Sequence, residues 1–246
     1  MLEMNICQEL KLKNSPVAVV ITDSVPEEAV EFVPSEMGGV CTLYGLKAAF
    51  EGKAVYFSGE SHGCPGMKGG LGFAAHVDMP GGIEYFLSCG RGQGYPPGER
   101  LKLTPEIAKA FRESLPNELI EAKYLLFRPL EQLKKDEKPK LVIFLANPDQ
   151  LSGLITLFQF EKGTYDDVTA PMVAGCSSVV QLPLNESGKE NPKAMVGIVD
   201  VWARPIFGAD IFAFTIPYED YVKMEVNSKD CFLQAKTWAG MKSRLV

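Results

Sequence analysis

The chain has 246 residues, of which 46% are apolar and 23% charged, a balance that is typical of a folded globular protein and excludes a disordered one. A net charge of −6 gives no attraction for phosphate backbones or anionic lipids, so we expect neither nucleic acid nor a membrane as partner. No apolar run approaches the roughly 18 residues that cross a bilayer, and the first residues lack the pattern of a signal peptide, so we expect a cytoplasmic protein.

The first half of the chain alternates predicted helices with short apolar strands. Helical spacing of apolar residues predicts helices at 4–13 and 40–50, and apolar or β-branched runs predict strands at 16–21, 53–58 and 83–87. A glycine-rich loop over residues 59–72 directly follows the second of these strands. Binding and catalytic residues of α/β proteins collect in loops that follow strands, so this loop is the first candidate for a site.

The second half continues the alternation. Helices are predicted at 104–115, 151–160, 170–181 and from residue 218 onward with a break near 227, and strands at 123–129, 140–146, 194–201 and 210–216. The sequence contains no linker-like stretch and no internal repeat. It therefore predicts an α/β fold of the mixed α+β kind, with a mixed β-sheet covered by helices in a single compact domain over residues 1–246.

Six cysteines are the most informative residues of the sequence: Cys7, Cys41, Cys64, Cys89, Cys176 and Cys231. In a reducing cytoplasm each is expected to be a buried apolar residue, a metal ligand or a reactive thiol rather than half of a disulfide. Cys41 falls in the first predicted turn of the helix 40–50, where free amides and the helix dipole favour a thiolate. Cys64 lies in the loop after a strand, and Cys176 lies in the predicted helix 170–181.

Three of these thiolates suit an iron–sulfur cluster that keeps one coordination position open, because soft sulfur ligands hold iron tightly. Cys41, Cys64 and Cys176 are the candidates, although their spacing is also compatible with three unrelated buried cysteines. His62 lies two residues before Cys64, so a thiol nucleophile with a histidine base and a zinc site are alternatives. The glycine-rich segments match no phosphate-binding pattern. We expect these glycines either to form turns or to let the backbone approach a cluster closely.

Polar residues at the ends of predicted elements complete the candidate site. Asn147 follows the buried strand 140–146, and Arg204 lies between two apolar strands. An unpaired guanidinium would be costly there, so an ion pair of Arg204 with Asp200 or Asp210 is slightly preferred to a clamp for a substrate carboxylate. The neighbouring Trp202 is expected in the core.

Several sequence motifs together resemble a known family. They are Cys41-Thr42-Leu43, Ala48-Ala49-Phe50-Glu51-Gly52-Lys53, Gly59-Glu60-Ser61-His62-Gly63-Cys64-Pro65-Gly66-Met67, Leu71-Gly72-Phe73, Asn147-Pro148-Asp149-Gln150, Gly175-Cys176, Asp200-Val201-Trp202-Ala203-Arg204 and Phe214-Thr215-Ile216-Pro217. With them the chain resembles the domain of unknown function 169 family over nearly its whole length, and the Cys-Pro-Gly loop is the most specific motif. The chain departs from the expected pattern at Met67-Lys68-Gly69-Gly70, so substrate contacts there can differ from those of relatives.

The resemblance implies a prokaryotic protein, often from archaea or anaerobes, and selects Cys41, Cys64 and Cys176 from the six cysteines. The leading hypothesis is an iron–sulfur protein in which these three hold a [4Fe–4S] cluster whose fourth iron faces a pocket. His62 and Arg204 are the catalytic candidates at that pocket, and Asn147 is a further cofactor-binding candidate. Such a protein could be an oxidoreductase or a lyase that acts on a small molecule or exchanges electrons with a redox partner protein.

Two alternatives accompany this hypothesis. The first is a non-redox small-molecule binder or sensor that uses the same pocket with reduced thiols. The second is a zinc protein that uses Cys64 and His62. The sequence leaves open the substrate, the reaction and the oligomeric state, including a homo-oligomer.

Overall fold

A computed structural model describes residues 4–75, 79–117 and 119–245 of the chain. Within these residues eight strands form one mixed sheet in the spatial order β2-β3-β4-β1-β5-β8-β7-β6. The strands are β1 Val17–Thr22, β2 Val30–Glu31, β3 Val55–Ser58, β4 Tyr124–Pro129, β5 Pro139–Ala146, β6 Val168–Thr169, β7 Ala194–Gly197 and β8 Phe212–Pro217. The six inner strands pair antiparallel with one another, and the two short edge strands pair parallel with their neighbours.

Ten helices are formed by the described part of the chain, several of them only one turn long. They are α1 Asn5–Glu9, α2 Pro34–Met37, α3 Leu43–Phe50, α4 Met67–Gly70, α5 Ile83–Phe86, α6 Pro105–Glu113, α7 Pro148–Phe158, α8 Leu182–Ser187, α9 Tyr218–Asn227 and α10 Lys236–Lys242. A π-helical turn at Ser177–Gln181 leads directly into α8. None of the described helices is long and apolar enough to cross a membrane.

The sheet buries both of its faces, because side chains along each inner strand alternate between two separate cores. Val17 and Val19 of β1 belong to a first core with α3, α4 and the π-helical turn, and the intervening Ala18 belongs to a second core with α7 and α9. The central strand β5 is apolar along most of its length for the same reason. The predicted α/β architecture, a mixed sheet between helices in one compact unit, is confirmed.

Most predicted elements are present, with ends that differ by a few residues. The segment 83–87 is the main error: it was predicted as a strand and forms the helix α5. Two glycines with positive φ, Gly81 and Gly82, turn the chain just before it, and the amide of Leu87 then bonds to the carbonyl of Ile83. Its apolar residues therefore face a cavity and the helix α6 rather than a neighbouring strand.

Two predicted helices begin later than expected. The helix predicted at 170–181 begins only at Gly175, because the preceding residues pair as the edge strand β6 and then pass through Pro171. The helix predicted at 40–50 begins at Leu43, so Cys41 lies just before α3 and not in its first turn. Both shifts place a cysteine at or just outside the start of a helix.

Candidate functional site

Three cysteines from distant parts of the chain line one cavity of about 420 Å³. Cys41 comes directly before α3, Cys64 lies in the loop between β3 and α4, and Cys176 caps the π-helical turn. Cys176 is buried, whereas Cys41 and Cys64 are partly buried. The structure therefore brings together the three cysteines that the family motifs select.

The cysteines meet over one face of the sheet and not at one edge of it. Cys64 follows β3 and Cys176 follows β6, and the chain of pairings across the sheet makes these two strands run in opposite directions. Their carboxyl ends therefore lie at opposite edges. The meeting point is therefore set by α3, α4 and the π-helical turn, which share the first core.

The loop around Cys64 is held by main-chain hydrogen bonds. The amide of Cys64 donates to the carbonyl of Val40 at 2.8 Å, and the amide of Met67 donates to the carbonyl of Cys64 at 3.0 Å. The nearby backbone amides of Gly66, Thr42 and Met67 lower the pKa of Cys64. This arrangement fixes the Cys64 sulfur beside the residues that precede α3 and favours its thiolate form.

Cys41 and Cys64 lie close enough to shift each other's pKa. The hydrogen bond from the Cys41 thiol lowers the pKa of Cys64 to about 6, against the raising effect of burial. The same bond, followed by burial, raises the pKa of Cys41. Burial and then the neighbouring Cys64 charge raise the pKa of Cys176. The group thus holds one thiolate readily, and further deprotonation requires a compensating positive charge.

Glycines allow the three segments to approach closely. A Cβ atom on Gly70 would lie 2.1 Å from the Sγ of Cys176, and one on Gly175 would lie 2.5 Å from the Cδ1 of Leu43. Any larger residue at either position would push α4, α3 and the π-helical turn apart. Gly70, in the glycine-rich sequence after Cys64, and Gly175, just before Cys176, are therefore required for the packing of the site.

Thr42 contributes a buried hydroxyl next to the cysteines. Its side chain is completely buried, and within the described ranges its Oγ1 has no hydrogen-bond partner of ordinary geometry. The hydroxyl lies beside the sulfur of Cys176, where it partly offsets the effect of burial on that thiol's pKa. A buried hydroxyl without a full partner is costly, so an acceptor at this position would stabilise it.

Among the described residues, no group of three or more His, Cys, Asp or Glu side chains is arranged so that it could hold a metal ion. A zinc ion needs its ligands at about 2.0 to 2.3 Å from one centre. His62 is exposed, does not line the cavity and so adds nothing to such a group. A cluster distributes its thiolates over several iron atoms, so its ligands are spread more widely than those of one ion.

Asn147 lies apart from the cysteine cavity. Its side chain accepts from the amide of Gln150 and the side chain of Gln150 accepts from the amide of Asn147, both at 2.9 Å, which forms a capping box at the start of α7. The apolar residues of α7 belong to the second core, on the other face of the sheet. Asn147 therefore starts a helix and does not line the cavity.

Arg204 also does not line the cavity, and its predicted ion pair is wrong. Its guanidinium donates to the backbone carbonyls of Ala209 and Ile211 and lies 4.6 Å from the ring centre of Phe212. Asp200 instead accepts from the amides of Gly175 and Trp202. Backbone carbonyls of its own loop satisfy Arg204, so no carboxylate partner is needed.

The far wall of the cavity comes from residues that the sequence did not single out. Part of this wall is formed by Ile83 and Phe86 of α5 and by Leu87, which follows α5. The rest includes Phe111 of α6 and Leu115, which follows α6. Two cationic side chains, Lys102 and Arg112, lie in the same wall. Trp202, expected in the core, is 60% exposed beside the cavity. The apolar stripe of α6 was the one signal that could have indicated this wall.

Comparison with known proteins gives one result. A family model described as DUF169, uncharacterised ArCR, matches residues 5–227, a span that includes all three cavity cysteines and both walls of the cavity. No curated protein and no solved structure matches the chain.

Proposed function

Because the chain belongs to the DUF169 family, described only as uncharacterised, we propose its function from the site itself: an iron–sulfur protein that binds a small organic molecule. Cys41, Cys64 and Cys176 would hold a [4Fe–4S] cluster by three of its irons. The observation that carries the proposal is the convergence of these three thiols, from three distant segments, on one largely apolar cavity. The open position of the fourth iron would face that cavity.

The electrostatics of the thiols support a cationic occupant. Burial, and then charge on Cys64, raise the pKa of Cys176. Three thiolates at this position would therefore repel one another. Iron ions would supply the missing positive charge and bring all three cysteines into the thiolate form. All six cysteines are free.

The surroundings of the thiols also fit a cluster. The close approach of Gly70 leaves the Cys176 sulfur without a side chain between it and α4. The incompletely bonded Thr42 hydroxyl is a suitable donor to a sulfide or thiolate sulfur.

A bound cluster supplies either one-electron transfer or a Lewis-acidic iron, which are the chemistries of an iron–sulfur oxidoreductase or lyase. The residues of this chain would provide the rest. The apolar walls from α5 and α6 would exclude water and hold the organic part of the substrate. The main-chain hydrogen bonds around Cys64 would keep the sulfur ligands in place during turnover.

Anaerobic purification followed by reconstitution with iron and sulfide tests the proposal. We expect a brown protein with about four irons and four sulfides per chain. Replacement of Cys41, Cys64 or Cys176 by Ser should remove most of the iron. The matched control is Cys89→Ser, since Cys89 is exposed and does not line the cavity. A colourless, iron-free protein, or an equal loss of iron in the control, contradicts the proposal.

A second candidate function rests on the cavity alone. Its volume and apolar lining suit a small ligand whether or not metal is bound. A non-redox binder or sensor with reduced thiols would show ligand-induced thermal stabilisation that survives Cys176→Ser. Loss of that stabilisation together with the iron would favour the iron–sulfur function instead.

A further inference from the structure

The polar groups of the cavity are unevenly shared between its two walls. The wall opposite the cysteines contains Lys102 and Arg112, whereas the one carboxylate among the described lining residues is Asp200. Both oxygens of Asp200 already accept from backbone amides, those of Gly175 and Trp202. Asp200 is therefore committed to the loop that surrounds Cys176, and the two cations remain available to a ligand.

Neither cation is neutralised within the described part of the chain. The ammonium of Lys102 lies 4.0 Å from the ring centre of Phe111, a contact that leaves its charge uncompensated, and its backbone amide is held by the carbonyl of Leu87. Arg112 occupies the last turn of α6. Neither side chain lies within ion-pair distance of a carboxylate of the residues described, while the nearby Lys109 pairs with Glu113.

From this arrangement we infer that the cavity binds an amphipathic carboxylate, a small organic acid with an apolar body whose carboxylate is held by Arg112 and Lys102. The inference names the substrate class for the proposed function above and uses the same cavity. A guanidinium pairs with a carboxylate through two parallel hydrogen bonds, and a partly buried position strengthens that pairing. The apolar body would lie between α5, α6 and the cysteine wall.

The remaining polar side chains of the lining are uncharged apart from Asp200: Asn117, Ser177, Gln181 and Trp202. Gln181 donates to the carbonyl of Pro116 at 2.9 Å, so its amide joins the residues after α6 to the π-helical turn. Ile83, Phe86, Leu87 and Leu115 offer only hydrocarbon. A sugar or a nucleotide needs many hydrogen-bonding groups, and this wall does not provide them. A cationic ligand would be repelled by the two basic side chains.

Titration calorimetry with three probes of equal chain length tests the inference. Octanoate, octanol and octylamine carry the same apolar body and differ only at the head group. We expect octanoate to bind about tenfold or more tightly than octanol, because a hydrogen bond to a charged group adds that much, and octylamine to bind most weakly. Arg112→Gln should remove most of the preference for octanoate and leave octanol binding unchanged, and Lys102→Gln should do so in part.

Lys109→Gln is the matched control, because Lys109 lies on the same helix, carries the same charge and does not line the cavity. Equal binding of the three probes, no binding of any probe, or an equal effect of Lys109→Gln overturns the inference. Titrations on both the iron-free and the reconstituted protein separate it from the iron–sulfur proposal. A protein that selects octanoate but takes up no iron refutes only the cluster, and one that takes up iron without selecting octanoate refutes only the ligand class.

Discussion

Gly70→Ala is the sharpest test of how the cysteine site is assembled. A Cβ atom at this position would lie 2.1 Å from the Sγ of Cys176, 3.0 Å from its Cβ and 3.2 Å from the amide nitrogen of Ser177. The sulfur alone could rotate away, but the backbone contact means that the π-helical turn must also shift. The substitution therefore moves a cysteine without changing its chemistry.

The expected magnitude follows from two opposing effects. Replacing a helical glycine by alanine gains about 1 kcal/mol from helix propensity. Overpacking a filled core costs about 1 to 3 kcal/mol, and more where backbone must move. We expect a net loss of up to about 2 kcal/mol in the free energy of unfolding, or up to roughly 8 °C in Tm for a chain of this size. Urea and thermal denaturation of the iron-free protein measure it.

Gly66→Ala provides the matched control in the same loop. Gly66 has a φ of −77°, and a Cβ on it would meet nothing within 4 Å. An alanine there should be neutral or stabilise the fold by about 0.4 to 1 kcal/mol. After anaerobic reconstitution, Gly66→Ala should retain the iron content of the parent protein and Gly70→Ala less than half of it. Equal stability and equal iron content in the two variants would refute the packing argument.

Three further substitutions test separate parts of the structure. Thr42→Val removes the buried hydroxyl, so by urea denaturation it should leave the iron-free protein equally stable or up to about 1 kcal/mol more stable, while elemental analysis after reconstitution shows less iron retained. Asn147→Ala breaks the capping box and should cost about 1 kcal/mol in the free energy of unfolding with no change in iron content. Burial raises the pKa of Glu225, so its contribution to stability is fully present below the ordinary glutamate pKa and is lost as pH rises through the raised value. Thermal denaturation across this pH range should show a loss in the parent protein that is absent from Glu225→Gln, and parallel curves would contradict the assignment.

The sequence predicts the sheet well because its strands are buried on both faces. Continuous apolar runs such as Pro139–Ala146 leave little choice of structure. It fails at Ile83–Phe86, where aromatic and β-branched residues have the composition of a strand but line a cavity from a single helical turn. Local composition records that these side chains are apolar, and it does not record what they pack against.

Some of the candidate site residues line the cavity and others do not. Cys41, Cys64 and Cys176 converge, but spacing alone did not select them, and the family motifs did. Asn147 and Arg204 both lie at ends of elements, where a polar side chain can either line a cavity or form hydrogen bonds with the neighbouring backbone. Both form hydrogen bonds with the backbone here: Asn147 in a capping box, and Arg204 with carbonyls of its own loop. Only tertiary structure distinguishes the two cases, because the local sequence pattern is the same.

The two walls of the cavity are held by different parts of the core, so the proposed iron binding and the proposed ligand binding should be separable. The cysteine wall belongs to the large first core beneath α3 and α4. The opposite wall is attached through Phe111 and Leu115, which pack on a small cluster of Val173, Leu182 and Met195. That cluster has far fewer buried members than the first core, so we expect its free energy of local opening to be lower.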